Sequence, residues 1–197
     1  MERRHSIEAF GHWPLGLWAP QFPAGRLERI YLHWSAFDYA SVFDAYHYCI
    51  AQDSGGEVVV VETNDLRVNM RNVYEVPERP YAAHTFRRNS YAAGLSIMGM
   101  LDARPDDFGP YPLTESSIDA LCEVAARIAR HYDIPIDTQH VLTHAEAAVE
   151  DGYFGMGEEE RWDIARLRAD PRPLVPEDAR DAGEELRRRI RLFNEDG

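Results

Sequence analysis

Ile30-Tyr31-Leu32-His33 and Val141-Leu142-Thr143-His144 are the two stretches on which the reading of this chain turns. Each is a short apolar run that ends on a histidine. Runs of this length and β-branched, aromatic content favour strands over helices, so each histidine is expected at a strand end. No local motif links the two, and they share a pocket only if their strands lie side by side. Asp163, in Arg161-Trp162-Asp163, is the candidate third partner. Zinc in hydrolases is commonly held by three nitrogen or carboxylate ligands, with a fourth position left for the water it activates. Glu146, Glu150 and Asp151 are rivals to Asp163 for the third place.

Working outward, Leu27 to His33 reads as a strand, and Tyr46 to Gln52 with Glu57 to Glu62 as a hairpin around Asp53-Ser54-Gly55-Gly56. Val58-Val59-Val60-Val61 suits a strand buried on both faces. After a loop holding Pro77, Pro80 and His84, Gly94 to Gly99 reads as another central strand, and Thr138 to Thr143 as the strand that delivers His144. Thr114 is a good N-cap for a long helix, with Leu113 and Ile118 placed as a hydrophobic staple. The stripe Ile118, Leu121, Cys122, Ala125, Ile128, Ala129 and Tyr132 has helical spacing. A last helix is expected from Pro176 to about Phe193, with Ala182, Leu186, Ile190 and Phe193 on one face and Arg187 to Arg189 largely solvated. Strands interleaved with helices give a single α/β domain. Its parts are an irregular arm over 1–26 carrying Trp13 and Trp18, a body over 27–170, and a helical extension over 171–197 packed on the same domain.

A chain of 197 residues with 45% hydrophobic content can bury a core without disulfides. Cys49 and Cys122, its two cysteines, fall in a strand-like and a helical segment and are expected as core thiols. The formal charge of −13, from 34 acidic and 21 basic residues, argues against nucleic acid or an anionic membrane as partner. The start, Met1-Glu2-Arg3-Arg4-His5, leads into no apolar signal segment, and no window approaches the ~20 apolar residues of a membrane span. The expectation is a protein that is cytoplasmic as synthesised, and a monomer.

Five segments, in order, resemble the zinc-dependent N-acetylmuramoyl-L-alanine amidase family, type 2, whose fold is shared with phage lysozyme-type amidases and peptidoglycan recognition proteins. Ile30 to Ala36 looks like that family's first strand, ending in a zinc histidine. Ala45-Tyr46-His47-Tyr48-Cys49-Ile50, followed by Asp53 and Gly55, is similar to its Tyr-His-aromatic strand and turn. Ala83-His84 with Asn89, then Gly94 to Gly99, resembles the His-bearing substrate loop and the glycine-flanked strand behind it. Val141 to Glu146 looks like the segment of the second zinc histidine, and Arg161-Trp162-Asp163 like the ending that carries the third ligand.

The resemblance implies a central mixed sheet flanked by helices, with one Zn²⁺ per chain at a sheet edge on His33, His144 and Asp163. It places Tyr46 and Arg161 as catalytic helpers, and His84, Asn89 and Trp34 near substrate. It implies hydrolysis of the amide between N-acetylmuramic acid and L-alanine in peptidoglycan or its fragments, acting on the wall after release or on fragments inside the cell. Two positions depart from the pattern. Arg161 stands where many relatives have Lys, and a guanidinium with a pKa above ~12 stabilises charge but donates no proton. Ser96 stands where some relatives have a catalytic Glu. The alternatives are a peptidoglycan-binding module without turnover and a zinc amidase acting on another N-acyl peptide.

Overall fold

The computed structural model describes residues 3–76 and 78–195; Met1, Glu2, Pro77, Asp196 and Gly197 lie outside it. Among the described residues, eight strands and three α-helices are arranged as a mixed α/β domain. The strands are β1 (Arg4–Ser6), β2 (Gly11–Pro14), β3 (Arg29–Trp34), β4 (Ser41–Phe43), β5 (Tyr48–Gln52), β6 (Val58–Glu62), β7 (Ala92–Ile97) and β8 (Val141–Thr143). The helices are α1 (Glu115–His131), α2 (His144–Asp151) and α3 (Pro176–Glu195).

Six strands form one sheet in the order β2-β6-β5-β7-β3-β8, while β1 and β4 pair separately. β3 runs parallel to both β7 and β8, and β5 parallel to β7, whereas β5–β6 and β2–β6 are antiparallel. The hairpin β5–β6 closes where expected. Asp53 Oδ1 accepts from the Gly55 and Glu57 N–H groups at 2.8 and 2.9 Å, and Gly56 takes the left-handed conformation the turn needs, at φ 81°. The valine run of β6 is covered on both sides, with Val60 in the main core and Val59 and Val61 in a second cluster. Cys49 and Cys122 are free and buried.

Side chains alternate across β3, which decides what each face does. Ile30, Leu32 and Trp34 point into the main core with α1 and α3 residues such as Leu121, Ile128 and Leu186. Tyr31 faces the other way, with Ala92, Leu142 and Ala147. His33 shares the Tyr31 face, so the strand itself separates His33 from Trp34. Helix α1 starts at the predicted cap: Thr114 Oγ1 accepts from the Ser117 N–H at 3.1 Å, and Ser117 Oγ accepts from the Thr114 N–H at 3.1 Å. Burying each Leu or Ile of its stripe contributes about 1.5–3 kcal/mol.

Three expectations are corrected. The arm is not irregular throughout: Gly11–Pro14 adds an edge strand to β6, with Pro14 at its end, where a missing N–H costs the ladder nothing. Trp18 is buried under Tyr48, its Nε1 donating to Glu62 at 3.0 Å. The strand delivering His144 is three residues rather than six, because Asp137 turns the preceding segment and accepts from the Gln139 and His140 N–H groups. Arg187 is 2% exposed rather than solvated.

Candidate metal centre

Strand register brings the two histidines together. Leu32 pairs with Thr143 in the parallel β3–β8 ladder, so the next step along both chains sets His33 beside His144. There β8 ends and α2 begins, with His144 as its first residue. A reciprocal capping box fixes that start: Thr143 Oγ1 accepts from the Glu146 N–H at 3.0 Å, and Glu146 Oε2 accepts from the Thr143 N–H at 2.9 Å. The Ala145 N–H, which has no partner within the helix, donates to the Asp163 carbonyl at 3.1 Å. Asp163 is thereby tied to the helix end that carries His144. Ile164 follows it at φ 58°, a left-handed conformation that a β-branched residue adopts only under strain.

The result is a buried triangle. His33 Nδ1, His144 Nδ1 and Asp163 Oδ2 lie 3.1 Å from one another on all three sides. Burial lowers the His33 pKa to about 4, against the opposing pull of Asp163, so the imidazole is neutral near pH 7 with a lone pair to offer. Burial alone would raise Asp163, but the adjacent His144 ring outweighs it and holds the carboxyl well below the usual range. Imidazole nitrogens and a carboxylate converging in this way suit a cation. A tetrahedral zinc with bonds of about 2.0–2.2 Å separates its ligands by roughly 3.3–3.5 Å, so this triangle is contracted by only a few tenths of an ångström. Among the described residues these three are the group able to hold a metal ion. Glu146, Glu150 and Asp151 are otherwise committed: Glu146 to Arg187, and the other two to Arg88 at 2.9 and 2.6 Å.

The remaining residues singled out from the sequence fall into two groups. Tyr46 is half-buried with its ring 5.2 Å from that of His33, and its carbonyl accepts from Thr63 Oγ1 and Asn64 Nδ2, both at 2.7 Å. The Arg161 guanidinium is exposed and donates to the Glu158 and Glu160 carbonyls at 3.3 and 2.6 Å, so it is turned to its own loop. Trp34 lies on the opposite face of β3 and packs edge-on against Trp162 and Phe108, which removes it from the pocket. His84 and Asn89 are both buried rather than presented on a loop surface. Asn69 draws that loop inward, donating to the Ala82 and Asn89 carbonyls at 2.9 Å. Ser96, the register partner of His33, is buried with its hydroxyl on the Ile97 carbonyl.

Several residues near the site carried no signal of their own in the sequence. Phe86 is 60% exposed and stands edge-on to Tyr153, whose ring lies 6.0 Å from that of His144. Thr85 bonds the far side of His33. Arg187 and Arg166 reach the site's supports from a distance: Arg187 grips both carboxylate oxygens of Glu146 at 3.0 Å, and Arg166 ties the chain after Asp163 to Asp178 of α3 at 2.7 Å. Of these, Arg187 alone was visible, as part of an arginine run.

Fold and site together define a mixed α/β domain with a buried, metal-capable histidine–aspartate centre. A family model described as N-acetylmuramoyl-L-alanine amidase matches residues 24–171, and the chain belongs to that family. Among solved structures it is similar to the N-acetylmuramyl-L-alanine amidase AmiD from E. coli in complex with anhydro-N-acetylmuramic acid-L-Ala-D-gamma-Glu-L-Lys. The identity is 19% and the TM-score 0.38, over 66% of this chain and 52% of that one. The chain thus spans about half the length of that relative. No curated protein matches it.

Proposed function

We propose that this chain is a zinc-dependent amidase that hydrolyses the bond between N-acetylmuramic acid and L-alanine in peptidoglycan or its fragments. The observation that carries the reading is the buried triangle of His33, His144 and Asp163 in a member of the amidase family. A zinc ion bound there would activate water and polarise the scissile carbonyl. The protein's own contribution begins with charge: Asp163 is the one carboxylate of the triangle, so a divalent ion held there would keep net positive charge. His33, His144 and Asp163 are all buried, so the triangle is largely shielded from bulk water. Tyr46, whose ring lies 5.2 Å from that of His33, is our candidate to bond or move a proton at the tetrahedral stage. Ser96 supplies no carboxylate beside His33. Arg161 assists only if it leaves the Glu158 and Glu160 carbonyls, and then by stabilising charge.

The test is mass spectrometry of purified peptidoglycan after incubation with the zinc-loaded protein and, in parallel, with a chelator-treated sample. Stem peptides released with a free L-alanine amino end, and absent after chelation, are expected. Intact wall that retains the protein would instead favour a binding module, and faster turnover of simple N-acyl-alanines would favour another acyl-peptide substrate.

A further inference from the structure

The loop after Ala82 is turned inward, and at its centre Thr85 meets the one His33 nitrogen that the triangle does not use. Thr85 Oγ1 lies 3.3 Å from His33 Nε2 and 2.9 Å from His84 Nδ1. All three residues are buried. Asn89 holds the loop in this shape: its Oδ1 accepts from the His84 N–H at 3.0 Å and the Thr85 N–H at 2.9 Å.

The donors on this chain can be ordered. Asn69 Nδ2 gives its two protons to the Ala82 and Asn89 carbonyls at 2.9 Å, which leaves none for His84 Nε2 at 3.5 Å. We assign His84 the tautomer with its proton on Nε2, which leaves Nδ1 to accept from the Thr85 hydroxyl at 2.9 Å. Thr85 donates its hydroxyl proton to His84 Nδ1, and its oxygen accepts from His33 Nε2–H. The lone pair of His33 Nδ1 is then left facing His144 and Asp163. The space for this arrangement comes from Gly94 on β7, where a Cβ would stand 2.3 Å from His84 Cγ.

We propose that Thr85 is a positioning residue for metal binding: by accepting from His33 Nε2–H it fixes the tautomer and ring angle that present Nδ1 to the ion. The proposal rests on the zinc reading above. It also gives His84 and Asn89 a role as supports of Thr85 in place of substrate contacts. Partners that hold the far nitrogen of a ligating histidine orient the ring and raise its basicity, and their loss typically costs about 10- to 100-fold in metal affinity or activity.

The experiment is competition of the chelator-stripped protein against a chromogenic zinc chelator, with the d–d spectrum of the Co²⁺ form and the Tm of the metal-free form recorded alongside. Thr85→Val keeps the shape and removes the acceptor. It is expected to bind zinc about 10- to 100-fold more weakly and to alter the cobalt spectrum, while Thr85→Ser restores both. Wild-type affinity in Thr85→Val, or equal losses in the Val and Ser variants, would overturn the proposal. In metal-free wild-type protein, long-range ¹⁵N–¹H correlations of the His33 ring are expected to place its proton on Nε2. A proton on Nδ1 would overturn the proposal without recourse to any variant. Wild-type protein that binds no zinc would remove the zinc reading itself, and this inference with it.

Discussion

The two histidines of the triangle reach it on different mounts. His33 is the penultimate residue of a strand paired on both sides, and its far nitrogen is held by Thr85. His144 is the first residue of a short helix at the sheet edge, and its Nε2 is buried with no hydrogen-bond partner among the described residues. One histidine is fixed by its neighbours in the sheet. The other is fixed through the helix it starts, and that helix is held by residues far along the chain: Glu146 binds Arg187 of α3, and a Cβ on Gly183 would stand 2.2 Å from Glu146 Oε2. The C-terminal helix lies beyond the family match at residue 171, yet it grips α2 through Arg187 and the chain after Asp163 through Asp178.

Removing the long-range grip should produce the largest effect. Arg187→Met leaves Glu146 buried and unpaired, a loss that typically costs about 3–5 kcal/mol. Urea unfolding should show that loss, and zinc affinity should fall with it as α2 loosens. An unchanged midpoint with normal zinc binding would show that the capping box alone suffices to hold His144.

The strand side can be probed through pH. His47 is buried behind His84, accepts from the Gly94 N–H at 3.0 Å, and has its pKa lowered by burial to about 3. Below pH 6.5 the unfolded chain takes up a proton on this ring and the folded chain does not, so stability falls as the pH drops from 6.5 toward 3. His47→Gln should flatten that slope by about 1.4 kcal/mol per pH unit. Denaturant midpoints at several pH values, in chelator so that metal release does not enter, would read it; parallel slopes for both proteins would show that His47 is protonated in the fold.

Arg161 belongs to neither mount and should matter least to stability. Arg161→Ala is expected to change it by no more than about 0.5 kcal/mol and to leave zinc affinity unaltered, since the guanidinium is exposed and bonded to loop carbonyls. A large fall in kcat with both unchanged would show that the side chain swings into the site with substrate bound.

The same contrast explains what could be read from the sequence. Strand-end histidines announce themselves through short apolar runs, and the Thr114 cap and the Asp53–Gly56 turn act over three or four residues. Helix α2 also had a local signature, since Thr143-His144-Ala145-Glu146 is a capping box, but Glu146 was weighed as a metal ligand. Arg187 could not be placed by local pattern. It sits in a run of arginines, and only the approach of α2 turns a wet-looking helix face into a buried ion pair. His84 and Asn89 looked exposed because prolines and polar residues suggest an outer loop; Asn69, well before them in sequence, is what folds that loop inward. The short strands β1 and β2 carry too few residues to show a period.

The central claim is that these two unlike mounts deliver one metal site, and calorimetric titration of chelator-stripped protein with zinc tests it most directly. The account predicts saturable binding of one ion per chain that is lost in both His33→Ala and Asp163→Asn. No saturable binding, or binding that survives in either variant, would contradict it.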